Sequence, residues 1–67
     1  MNHAQRKTIL LKCIQTLAAD IASHAESQSV QPVLHGIERL HQLGFSLHTE
    51  MKSNAILQDI KAREVQP

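Results

Sequence analysis

Aromatic residues are almost missing from this chain: Phe45 stands alone, with no Trp and no Tyr among 67 residues. Any core must therefore be built from Leu, Ile, Val and Ala, which suits helix packing better than a sheet. Cysteine is as scarce. Cys13 is the single one, which excludes an intrachain disulfide and a zinc finger or ribbon, since both need paired cysteines. Its thiol reads as a small packing residue, reduced in a cytoplasmic setting. Long apolar runs are absent too. Residues 1–8 are polar, and the ILLKCI that follows is short and interrupted by Lys12, so neither a signal peptide nor a membrane span of ~20 apolar residues is expected. No sign of charge dominates: 7 basic against 6 acidic residues give +1 and a pI near 8.0, far from the strongly basic balance of a typical nucleic-acid binder.

What is present is helical. Residues 4–26 contain no Gly or Pro, and Leu10, Ile14, Leu17 and Ile21 recur at spacings of four, three and four, with Leu11, Ala18 and Ala25 beside them. This predicts a first helix at about 4–26. Ile9 and Cys13 widen its apolar face beyond what one neighbour can cover. The polar SQSVQP of residues 27–32 reads as a turn. Ser29 is placed to cap a second helix and Pro32 is tolerated in its first turn. So short a connection predicts an antiparallel pair.

From Val33 the stripe resumes as Val33, Ile37, Leu40, Gly44, Leu47 and Met51. In an antiparallel register Ile21 meets Ile37, Leu17 meets Leu40, Ile14 meets Gly44, Leu10 meets Leu47 and Lys7 meets Met51. Gly44 can then be read in two ways. As a seam glycine within one unbroken helix it would allow close approach. As the left-handed residue of a Schellman ending, with Phe45 touching Leu40 and Ser46 capping a new helix, it would divide the segment into helices at about 31–43 and 47–64. The local chemistry favours the break, because an interior glycine costs ~1 kcal/mol against alanine.

The run LHQLGFSLHTEM, residues 40–51, resembles the stretch that follows the DNA-binding winged region in MerR-type regulators. The helix-turn-helix that precedes it in that family is missing here. The resemblance therefore implies a helix boundary at Gly44–Ser46 and nothing about DNA or effector binding.

Past Met51 the stripe meets the polar Asn54 and Gln58, while Ile56, Leu57 and Ile60 turn elsewhere. Residues after 55 would overhang the start of the first helix, so this segment most needs another surface. The expected fold is all-α, one helical domain over 1–67, either a hairpin or a three-helix domain, completing a bundle by dimerisation. A chain this short buries only ~60% of its unfolded surface, and oligomerisation is the support left once disulfides and zinc are gone. The self-association face expected is Ile9, Leu10, Cys13, Ile14 and Leu17.

No catalytic constellation stands out. Cys13 and His24 are too far apart on one helix to touch, and no glycine-rich turn offers an oxyanion hole. Glu38 and His41 form one E-x-x-H half-site where a di-iron bundle needs two plus further glutamates. No metal and no cofactor are therefore expected. His35, His41 and His48 read as polar flanks of the stripe, and His24 as a dipole partner near a helix end. The pattern points to a non-enzymatic regulator or adaptor that binds a protein partner through Phe45, Met51, Ile56, Leu57 and Ile60. The alternative is a small nucleic-acid-binding regulator gripping phosphates with Arg6, Lys7, Lys12, Lys52, Lys61 and Arg63. Interleaved Glu50, Asp59 and Glu64, and the lack of aromatics for base stacking, weigh against it.

Overall fold

The computed structural model describes residues 1–65. Helix α1 spans His3–Glu26 and helix α2 spans Val30–Val65, packed against each other as an antiparallel hairpin. No strand occurs among the described residues. The shape is a rod of 60 × 16 × 15 Å, with a radius of gyration of 16.7 Å where a compact domain of this length would have ~11 Å.

Asn2 starts α1. Its side-chain oxygen accepts from the Gln5 amide at 2.9 Å, and the Gln5 side-chain oxygen accepts from the Asn2 amide at 2.9 Å. This reciprocal capping box satisfies two of the amides that a helix start leaves free. The Asn-x-x-Gln spacing was legible in the sequence and moves the start one residue ahead of the expected Ala4.

The Schellman ending exists, at a different place from the one expected. Gln28 holds the left-handed conformation, φ 58°. The Gln28 amide donates to the Ala25 carbonyl at 3.1 Å and the Ser29 amide to the His24 carbonyl at 2.9 Å, the paired bonds of that motif. Ser29 sits directly before α2 as expected, and its carbonyl accepts from the Val33 amide at 3.2 Å. Its hydroxyl lies 3.0 Å from that of Ser27. Pro32 falls in the first turn of α2, where its missing amide proton costs nothing.

The expected break at Gly44–Ser46 does not occur. α2 runs through those residues unbroken, and neither glycine has a positive φ. The boundaries at 43 and 47 are thus corrected to one helix, and the three-helix alternative and the boundary implied by the MerR-type resemblance go with them. The physical reason is continuity: Leu40, Leu43 and Leu47 all lie half-buried along α1, and a break would detach the last of them.

The seam is also corrected. On α1 the half-buried positions are His3, Lys7, Leu10, Ile14, Leu17, Ile21 and His24. On α2 they are Val33, Leu40, Leu43, Leu47, Glu50 and Asn54, with Gly36 fully buried. Both helices thus keep a strict seven-residue repeat, the pattern of coiled-coil packing. The expected stripe shares Val33, Leu40 and Leu47 but took Ile37, Gly44 and Met51 where the structure uses Gly36, Leu43 and Glu50. A Cβ on Gly36 would sit 2.5 Å from Ile21 Cγ1, so Gly36, and not Gly44, is the glycine that lets the helices approach. Gly44 has nothing within 4 Å of where its Cβ would be.

Apart from Gly36, no described residue is fully buried, and no apolar side chain is. The hairpin has a seam and no core.

Candidate interaction surfaces

The register follows from Gly36 against Ile21. Eighteen residues back along α1 is His3, and eighteen forward along α2 is Asn54. Residues 55–65 of α2 therefore pass the start of α1 and continue alone for about 16 Å at 1.5 Å per residue. Ile56, Leu57 and Ile60 lie on this overhang, 52%, 55% and 44% exposed. Leu57 is seven residues beyond Glu50 and fourteen beyond Leu43. It continues the seam line itself, and only the end of α1 leaves it uncovered. Met51 is also exposed, just before the overhang. Phe45 is 67% exposed but about 16 Å back along the helix from Ile56, on the outer side. The structure gathers Ile56, Leu57 and Ile60 and leaves Phe45 apart from them.

The five residues expected to mediate self-association do not share a surface. Leu10, Ile14 and Leu17 are half-buried in the hairpin's own seam, while Ile9 and Cys13 are exposed beside it. Cys13 opens onto a groove of about 820 Å³ between the helices, with Lys12, Asp20, Arg39, Gln42 and Ser46 around it. Leu17 and Leu43 form part of its lining as well, so this side of the hairpin sets charge of both signs around an apolar floor.

The six basic residues are likewise dispersed. Arg6 Nε donates to Glu50 Oε1 at 2.6 Å, and Arg63 pairs with Asp59 at 2.9 Å one turn away. Lys7 is half-buried in the seam, Lys12 lines the groove, and Lys52 is exposed. Lys61 and Arg63 lie on the overhang, beyond the reach of Arg6 and Lys7. Among the described residues, no three His, Cys, Asp or Glu side chains converge in a metal-binding group, and Glu38 and His41 are both exposed. Asp20 and His24 approach to 3.5 Å one turn apart.

Sequence reasoning missed the cluster at the open end. α1 begins with His3, Arg6 and Lys7 and no acidic residue in its first turn, which is unfavourable against the helix dipole. Glu50 supplies the missing charge from α2, accepting from Arg6 and lying 3.1 Å from His3 Nδ1. Arg6 also donates to the Met1 carbonyl. The hydrogen bond from Arg6, followed by that with His3, holds the Glu50 carboxyl below its ordinary value. A seam drawn through Glu50 in place of Met51 would have revealed it.

No helix among the described residues is long and apolar enough to cross a membrane. Comparison with protein-family models, with curated proteins and with solved structures finds no match for the chain.

Proposed function

We propose that this chain is a non-enzymatic helical module, a small regulator or adaptor, that self-associates and binds a protein partner through the projecting end of α2. One observation carries the reading: α2 outlasts α1 and keeps Ile56, Leu57 and Ile60 exposed on the projection. A lone amphipathic helix end of this kind suits a partner's groove, with anchors spaced three and four apart. Solvated apolar side chains on an unpaired helix are otherwise costly, since their burial is the main source of helix stability in water.

The test is Leu57→Asp with Ile60→Asp. Both positions lie beyond the last seam contact, so circular dichroism and sedimentation should be unchanged while a cross-linked protein partner of the wild type is lost. Unfolding or dissociation of the variant would instead assign these residues to the chain's own assembly. Nucleic-acid binding that weakens steeply with salt, and is lost with Arg6→Glu and Lys7→Glu, would replace the proposal with the basic-face alternative. That alternative is supported less, because Arg6 and Arg63 each already hold a carboxylate.

A further inference from the structure

Self-association is part of the reading above, and the structure points to the face that carries it. In an antiparallel hairpin the two residue columns flanking the seam on one side come from both helices. On the groove side these columns hold Arg6, Cys13 and Asp20 of α1 and Arg39, Ser46 and Ser53 of α2, as the groove lining shows for four of them. The opposite side is different in kind. Its columns are Ala4, Leu11, Ala18 and Ala25 on α1 and Val30, Ile37, Gly44 and Met51 on α2. The positions next outward include Gln15, Ala22, Leu34, His41 and His48. From Ala4 to Ala55 this face bears no Lys, Arg, Asp or Glu. Leu34, Ile37 and Met51 on it are each about half exposed.

Size along the face alternates in a way that fits itself. Gly44 leaves a dent that nothing in the hairpin fills, at nearly the height of Leu11. Ile37 stands at nearly the height of Ala18, and Met51 at that of Ala4. We infer that two copies of this chain pack face to face through this uncharged surface, related by a two-fold axis parallel to the helices. That axis sets α1 of one copy on α2 of the other at the same height. Leu11 then enters the dent at Gly44 of the second copy, Ile37 falls between its Ala18 and Ala25, and Met51 lies beside its Ala4. Turning the second copy end for end would set Met51 against Val30 and Ile37 and leave Ala4 facing Ala25.

The area agrees with a second copy. The hairpin exposes 5440 Å², where a globular monomer of 7.5 kDa exposes about 4,250 Å². The excess of about 1,200 Å² is shared between the overhang of α2 and the sides of the hairpin, and a standard interface buries ~800 Å² of each partner. The absence of charge from the face also disfavours a strongly charged occupant, since buried unpaired charge is expensive. In this dimer both projecting α2 ends emerge at the same end of a four-helix bundle, presenting two copies of Leu57 and Ile60 together.

Gly44→Leu separates this arrangement from others. It adds a helix-favouring residue where the hairpin is open, so helicity of the dilute chain should rise. Dimer dissociation should nevertheless become about 10- to 100-fold easier, the usual range for overpacking a contact. Adding Leu11→Ala in the same chain exchanges large for small and should restore most of the affinity. Spin labels at Gln31→Cys, with Cys13→Ala, should lie about 20 Å apart across the dimer, because both turns are at one end. A wild-type chain that sediments as a folded monomer at high micromolar concentration would overturn self-association itself. A dimer with labels about 40 Å apart, or one indifferent to Gly44→Leu, would overturn this face and axis while leaving self-association standing.

Discussion

Glu50 of α2 accepts a 2.6 Å hydrogen bond from Arg6 of α1, 44 residues earlier in the chain, with only 18% of its side chain exposed. This contact closes the open end of a hairpin whose other end is closed by its turn. It also puts a carboxylate beside the amino-terminal turn of α1, where the exposed amides favour negative charge.

The pH dependence follows from that contact. Glu50 titrates below its ordinary value of 4.5 because Arg6 stabilises the charged form. A carboxyl depressed in the folded state contributes stability that is complete above its unfolded value and is lost as pH falls through the folded one. Thermal unfolding should therefore show no Glu50 contribution to pH dependence above about 5.5 and a decline below the 4.5 of the free side chain. Glu50→Gln should lower stability near neutrality and remove that part of the acid decline.

The two glycines of α2 should respond oppositely to alanine. Gly36→Ala forces a Cβ to within 2.5 Å of Ile21 Cγ1, and the branched isoleucine is stiff near its backbone. Overpacking of this kind should cost about 1–3 kcal/mol, more than the ~1 kcal/mol of helix propensity it gains. Gly44→Ala meets nothing and should stabilise the hairpin by up to ~1 kcal/mol. Paired melts of the two variants, below the concentration at which the chain associates, check both signs.

Gln28→Gly should stabilise the turn. A side chain in the left-handed region is strained by about 1–2 kcal/mol, and Gln28 occupies that region with φ 58°. Part of the gain is offset by glycine's greater freedom in the unfolded chain, so a rise of about 0.5–1 kcal/mol in unfolding free energy is expected. A loss of stability would mean that the Gln28 side chain contributes more than its backbone costs.

The capping box should be measurable on its own. Asn2→Ala removes the acceptor for the Gln5 amide and should lower stability by about 1 kcal/mol. Gln5→Ala should cost less, because the amide it leaves free is exposed to water. Hydrogen exchange at residues 5 and 6 should accelerate in the Asn2 variant before exchange changes elsewhere.

Several features of this protein were legible without a structure, because they are local. The absence of aromatics and of paired cysteines, together with the glycine-free stretch up to Glu26, determined an all-helical chain. The polar stretch 27–32 ending in Pro32 located the turn and hence the antiparallel pairing, although α2 already begins at Val30 and confines the turn itself to residues 27–29. Leu10, Ile14, Leu17 and Ile21 determined the seam of α1, and the register alone placed Ile56, Leu57 and Ile60 past its end. Tertiary structure decided what local chemistry left degenerate. Val33, Leu40 and Leu47 fit two helical stripes equally well, and steps of three or of four from each of them separate Gly36, Leu43 and Glu50 from Ile37, Gly44 and Met51. Apolar content favours the second set. The first set prevails because Gly36 admits Ile21 and Glu50 meets Arg6 and His3, contacts that exist only once the other helix is in place. The same degeneracy misplaced the helix ending. Leu-Gly-Phe-Ser has every residue a Schellman motif wants, yet Leu40, Leu43 and Leu47 packed along α1 hold the backbone helical through Gly44. The motif formed instead at Gln28, where the chain had to reverse.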